Sequence, residues 1–81
     1  MEDLIFERHA LDEMASDSIS EDEVYTVVGD ADVEYVQHNG RTRCERMMDD
    51  GRYLVVIVDE ETGIVKTAWW DTRASRGPRR Q

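Results

Sequence analysis

VEYVQHNGRTRCERMM, residues 33–48, decides how this chain folds. Two runs of strand-favouring residues flank Asn39-Gly40, and Asn-Gly between such runs is the strongest short-range signal for a two-residue type I′ turn. A two-residue loop sets the register: His38 faces Arg41, Val36 faces Arg43 and Tyr35 faces Cys44. Side chains alternate across a strand. One face then carries Val33, Tyr35, Thr42 and Cys44, with Arg46 at its far end. The other carries Glu34, Val36, His38, Arg41, Arg43 and Glu45. The first set reads as the core face and the second as a wet, charged one.

Beyond the hairpin, Asp49-Asp50-Gly51 makes the next turn and RYLVVIVD (52–59) follows, apolar on both faces as a central strand is. Glu60 to Gly63 return the chain to IVKTAWW (64–70), where Trp69 and Trp70 point to opposite faces. One of them is core; the other is free to stack on a base or to anchor a partner. Met47 and Met48 are expected to cover core and edge. On the other side of the hairpin, Leu4 to Arg8 reads as a short strand. Ala10, Leu11, Met14 and Ala15 then share one helical face, with Asp12, Glu13 and Asp17 opposite. ISEDEV (19–24) marks the start of a second helix. Ser20 is the N-cap, Glu23 completes a capping box, and Ile19 and Val24 occupy the hydrophobic-staple positions. Val24, Val27 and Val28 form its buried face. The fold class is α+β: a short N-terminal strand, two helices and a four-stranded antiparallel meander, with the helices packed on one face. Residues 1–71 make the single domain, and TRASRGPRRQ (72–81), which has no apolar periodicity, is expected to be a disordered Arg-rich tail.

Composition narrows the functional classes. At 81 residues there is room for one core, and a domain of this size buries only about 60% of its unfolded-chain surface. Cys44 is the only cysteine, so an internal disulfide and a cysteine zinc cluster are excluded, and a reducing cytoplasm is expected. No His, Cys or acidic spacing suggests a metal site, and no cofactor is called for. The longest apolar run, Leu54 to Val58, is far too short to span a membrane. Charge is unevenly placed. Nineteen acidic residues face ten basic ones, of which Lys66 is the only lysine, and four of the arginines (73, 76, 79 and 80) follow the last acid, Asp71. Residues 1–71 therefore carry −13. Such a body repels nucleic acid at long range except where cations cluster locally. Its other reading is adaptation to a high-salt or high-GC host.

RHALDEMASDSISEDEVYTVV (8–28), followed by Gly40-Arg41, the long apolar strand and the closing IVKTAWW, resembles the domain-of-unknown-function family 4258. That family opens with His-Ala-x-x-Arg-Met and continues with Arg-Gly-Ile-Ser-x-x-x-Val. The resemblance covers residues 4 to about 70 and rests on the order and spacing of the motifs. It implies the RelE-like and barnase-like small ribonuclease fold, toxin-like members of toxin–antitoxin pairs among them, and so a metal-independent RNA endonuclease. His9 matches the family's histidine at the start of the first helix, Arg41 the arginine after the hairpin glycine, and Thr67 the polar position of the last strand. Three positions depart from the pattern: Glu13 and Asp17 replace basic residues, and Ser18 replaces a glycine.

Cleavage of RNA without a metal requires a base for the ribose 2′-hydroxyl, cations for the pentacoordinate phosphate and an acid for the leaving 5′-oxygen. An imidazole can take either proton-transfer part near neutral pH. The expected catalytic set is His9, with Arg41 and Arg43 on the scissile phosphate through their forked donors and Lys66 assisting. Arg73, Trp70, Thr67 and Tyr53 are the expected substrate contacts. The structural alternative has His9 donating a hydrogen bond to a backbone carbonyl at the strand–helix junction. His38 reads as solvent-facing, and Cys44 as a small buried hydrophobe. Two partner classes follow: RNA, with an antitoxin to restrain the activity, or, for a catalytically inactive acidic protein on the same fold, the basic groove of a nucleic-acid-processing protein. Partner ion pairing of the second kind weakens with salt.

Overall fold

The computed structural model describes residues 3–71; the Arg-rich tail, with Arg73, lies outside them. The elements run β1 (Ile5–Phe6), α1 (Arg8–Ser16), α2 (Glu21–Gly29), β2 (Val33–Val36), β3 (Thr42–Met47), β4 (Tyr53–Asp59) and β5 (Ile64–Asp71). The second helix begins as its sequence dictates. The Ser20 hydroxyl accepts the Glu23 N–H at 3.1 Å, the Glu23 carboxylate accepts the Ser20 N–H at 2.9 Å, and Ile19, Val24 and Val27 are buried beneath. Three acidic residues occupy its first turn, where the helix dipole favours them.

Helix α1 ends in a Schellman motif. The N–H of Ile19 reaches the carbonyl of Met14 at 2.8 Å, that of Ser18 reaches Ala15 at 3.3 Å, and Ser18 stands at φ +57°. Glycine adopts this left-handed conformation freely, whereas an L side chain pays about 1–2 kcal/mol for it. Ser18→Gly is therefore expected to raise stability by about 1 kcal/mol, seen as a higher urea midpoint with an unchanged slope.

The sheet has five strands in the order β1-β5-β4-β3-β2. Strands β2 to β5 form the expected antiparallel meander. β1 then joins β5 in parallel, Ile5 beside Ile64 and Phe6 beside Val65, so the sheet is mixed rather than a separate strand plus four. The junction depends on Gly63, at φ +78°: a Cβ there would stand 3.3 Å from the Asp3 carbonyl oxygen. β4 is central, and Leu54, Val55, Val56, Ile57 and Val58 are all buried. Both helices pack on one face, where Ala10, Met14, Val24 and Val27 meet Cys44, Leu54, Val56, Val58, Val65 and Ala68. No helix of the described residues lies on the other face.

The hairpin register differs from the expected one by one residue. Its loop has three residues, His38 to Gly40: Gln37 N–H donates to Arg41 O at 2.7 Å and Gly40 N–H to Gln37 O at 2.9 Å, with Gly40 at φ +87°. The Asn39 side chain accepts the Arg41 N–H at 3.0 Å. A turn followed by a left-handed glycine is the bulged alternative open to the same Asn-Gly pair. Val36 consequently pairs with Thr42, Tyr35 with Arg43, Glu34 with Cys44 and Val33 with Glu45. β3 keeps its expected faces, Thr42 and Cys44 toward the helices and Arg43 and Glu45 away. β2 is reversed: Glu34 and Val36 lie on the helix side, and Val33 and Tyr35 on the open side, against the core placement expected for the latter pair.

Candidate functional site

Three elements converge where the hairpin tip approaches the start of α1. His9 sits in the first turn of α1, Arg41 leaves the hairpin loop just after Gly40, and β5 contributes Lys66 and Thr67. The β4–β5 register shifts at this level, Ile57 pairing with Thr67 but Val58 with Val65, so that Lys66 is an extra residue. Such a bulge re-aims side chains and is over-represented beside functional sites. It brings Lys66 and Thr67 to the same open groove of about 460 Å³, with Ile57 and Trp69 as its apolar lining. Four of the eight expected site residues thus share one depression: His9, Arg41, Lys66 and Thr67.

Glu13 organises the helix side of this groove. Its Oε2 lies 3.4 Å from His9 Nε2, one helical turn away, and its Oε1 accepts the Thr67 hydroxyl. The His9 side chain is 70% exposed, and no backbone carbonyl of the described residues accepts a hydrogen bond from it. Lys66 Nζ is 3.1 Å from Glu7 Oε1. Arg41 has no ion pair among the described residues, which leaves its guanidinium available to an anion. Glu13 was legible only as a departure from the family pattern, although its i, i+4 spacing from His9 is the signal that finds it.

The remaining expected residues fall elsewhere. Arg43 lies on the open sheet face behind Trp69, its guanidinium carbon 5.3 Å from that ring's centroid, and it is held by two carboxylates, Glu45 at 2.6 Å and Asp71 at 3.5 Å. Trp70 is on the helix side and packs against the core, with its Nε1 donating to the Asp17 carbonyl at 3.0 Å and Arg52 over its ring at 3.8 Å. The indole in the groove is Trp69. Tyr53 stands four residues along β4 from Ile57, opposite Asp71. His38 is exposed in the loop, and Arg73 lies outside the described residues.

Cys44 is fully buried. Burial, then the charges of Glu34 and Glu60, push its thiol up to about 12, so it carries no thiolate at neutral pH. Burial and the adjacent Glu60 carboxylate also raise the Glu34 carboxyl above the usual glutamate range. A raised carboxyl is one the native state protonates before the unfolded chain does. Stability therefore falls as pH rises through the window between the ordinary and the raised value, and the full penalty is present above it. Glu34→Gln is expected to melt above the wild type at about pH 7, the difference closing as the pH is lowered toward about 4, a trend that thermal melts across the range would read.

Comparison with family models, with curated proteins and with solved structures returns no match to this chain.

Proposed function

We propose that this protein is a small, metal-independent RNA endonuclease of the RelE-like and barnase-like class, toxin-like and restrained by an antitoxin. The observation that carries this reading is the gathering of His9, Arg41, Lys66 and Thr67, distant in sequence, around one groove. Arg41 receives the scissile phosphate on its fork of donors, and Lys66 adds a second cation. His9 takes the 2′-hydroxyl proton as that oxygen attacks phosphorus, and Glu13, itself anchored by Thr67, orients the imidazole. The half-buried Trp69 indole, part of the groove's lining, stacks on the base beside the cut. The Lys66 ammonium gives a proton to the leaving 5′-oxygen, and the products are a 2′,3′-cyclic phosphate and a 5′-hydroxyl.

A second reading has its own observation. Apart from Arg8 and Arg41, each basic residue described is answered by a carboxylate: Arg43 by Glu45 and Asp71, Arg46 by Asp30, Arg52 by Asp50 and Lys66 by Glu7. That leaves an acidic body suited to a basic protein surface. One assay separates the two. Purified folded protein is incubated with RNA in chelator at low and high salt, and the ends are analysed. Cyclic-phosphate ends, lost in Arg41→Ala, support the endonuclease. Intact RNA at every salt concentration sinks it and leaves the acidic interaction protein.

A further inference from the structure

β2 is an edge strand, and all four of its residues are exposed. Hydrogen-bond parity shows which of its backbone groups are free. Gln37 N–H donates to Arg41 O, so Gln37 and, two residues back, Tyr35 turn their amides toward β3, while the N–H and C=O of Glu34 and Val36 point out of the sheet. No backbone group among the described residues meets them there. Val33 to Val36 contains neither lysine nor proline, and its one charge is Glu34 on the helix side. Otherwise it is apolar. Val33, Tyr35, Val36 and neighbouring Met47 are four of the five exposed large hydrophobic residues described, Val36 the most open at 68%.

Charge identifies the occupant. On the helix side of this edge Glu34 stands opposite Cys44, and Glu60 Oε1 accepts the neighbouring Thr42 hydroxyl at 3.2 Å, so the two carboxylates lie close together; no described cation forms an ion pair with either, and the Glu60 charge helps to raise the Glu34 carboxyl. A second copy of the chain would bring another Glu34 and Glu60 to the same place, and like charges across an edge are destabilising. We propose that β2 accepts an extended segment of a protein partner as a sixth strand, one that alternates Lys or Arg with Val, Ile or Tyr. Its basic side chains lie over Glu34 and Glu60, its apolar ones beside Val33 and Tyr35, and its backbone pairs with Glu34 and Val36. The surface is separate from the His9 groove, and its test does not depend on the endonuclease reading.

The probe is the peptide acetyl-Thr-Arg-Val-Lys-Tyr-Arg-Val-Thr-amide, added to the full chain while amide hydrogen exchange is followed residue by residue. At peptide concentrations about ten times its Kd, exchange at Glu34 and Val36 slows about tenfold, with Tyr35 and Gln37 unchanged. A peptide with Glu at the basic positions gives no slowing, and Glu34→Lys with Glu60→Lys reverses that preference. Val36→Pro removes an N–H that no bond of the fold uses, so it keeps the native circular dichroism spectrum and loses the peptide. Absence of slowing, slowing that survives Val36→Pro, or slowing that grows with protein concentration without peptide each overturns the proposal, the last in favour of a second copy.

Discussion

Arg43→Ala is expected to lose about 3 kcal/mol of folding stability, the usual cost of removing one partner from a buried ion pair. Glu45 is 1% exposed on a sheet face that neither described helix covers, and Arg43 Nε sits 2.6 Å from its Oε2. The two residues are neighbours on the same face of β3, and the same guanidinium also reaches Asp71 and lies over Trp69. Truncation leaves the carboxylate buried with this cation gone, and uncovers the Trp69 ring. A domain whose whole margin is of the order of 5–15 kcal/mol notices such a loss. Urea denaturation measures it. Arg43→Met combined with Glu45→Leu should recover stability to within about 1 kcal/mol of the wild type, because the desolvation cost goes with the pair. A single-variant loss below about 1 kcal/mol would place Glu45 in contact with water in solution.

His9→Ala is expected to lower RNA cleavage by about 10²–10⁴-fold, the range that general acid–base groups supply, while leaving the melting temperature where it was. The two halves of this expectation come from the same fact. The His9 side chain is 70% exposed and its ion-pair partner Glu13 is 44% exposed, so its loss opens no cavity and strands no buried charge. Glu13→Gln keeps the hydrogen bond from Thr67 but removes the charge beside the imidazole. It should reduce kcat more than it changes KM, since its part is orientation and not substrate contact. A His9 variant with undiminished cleavage, beside a wild type that cuts RNA, would move the proton transfer to another group.

The elements were legible because each carries its own chemistry. Ser20 and Glu23 announce a capped helix whatever lies around them, and the apolar run at 54–58 admits only a central strand. The register of the first hairpin was not legible, because Asn39-Gly40 serves a two-residue turn and a three-residue bulged loop equally well. The choice between them reverses β2, and with it the placement of Val33, Tyr35, Glu34 and Val36. The pairing of β1 with β5 was hidden for another reason: two residues hold too little pattern to reveal a partner some sixty positions away. In the groove, His9, Arg41 and Thr67 were expected from the positions that match the motif of the family the sequence resembles. Lys66 reaches it through a bulge that no alternation predicts, and Trp69 replaces Trp70 as the groove's indole because that same extra residue sets the phase of the last strand.

The parallel pairing of Ile5 with Ile64 also sets a timetable for synthesis. The groove draws one wall from the ninth residue and another from Lys66 and Thr67, so nothing resembling it exists until the last strand has been made. Loop closure over nearly the whole domain is a late and slow step of folding. A chain still being translated, with β5 not yet free, holds His9 on a nine-residue segment that is too short to be a stable helix alone and has no facing strand. If the groove cuts RNA, the ribosome making this protein is spared by the order of its own sequence.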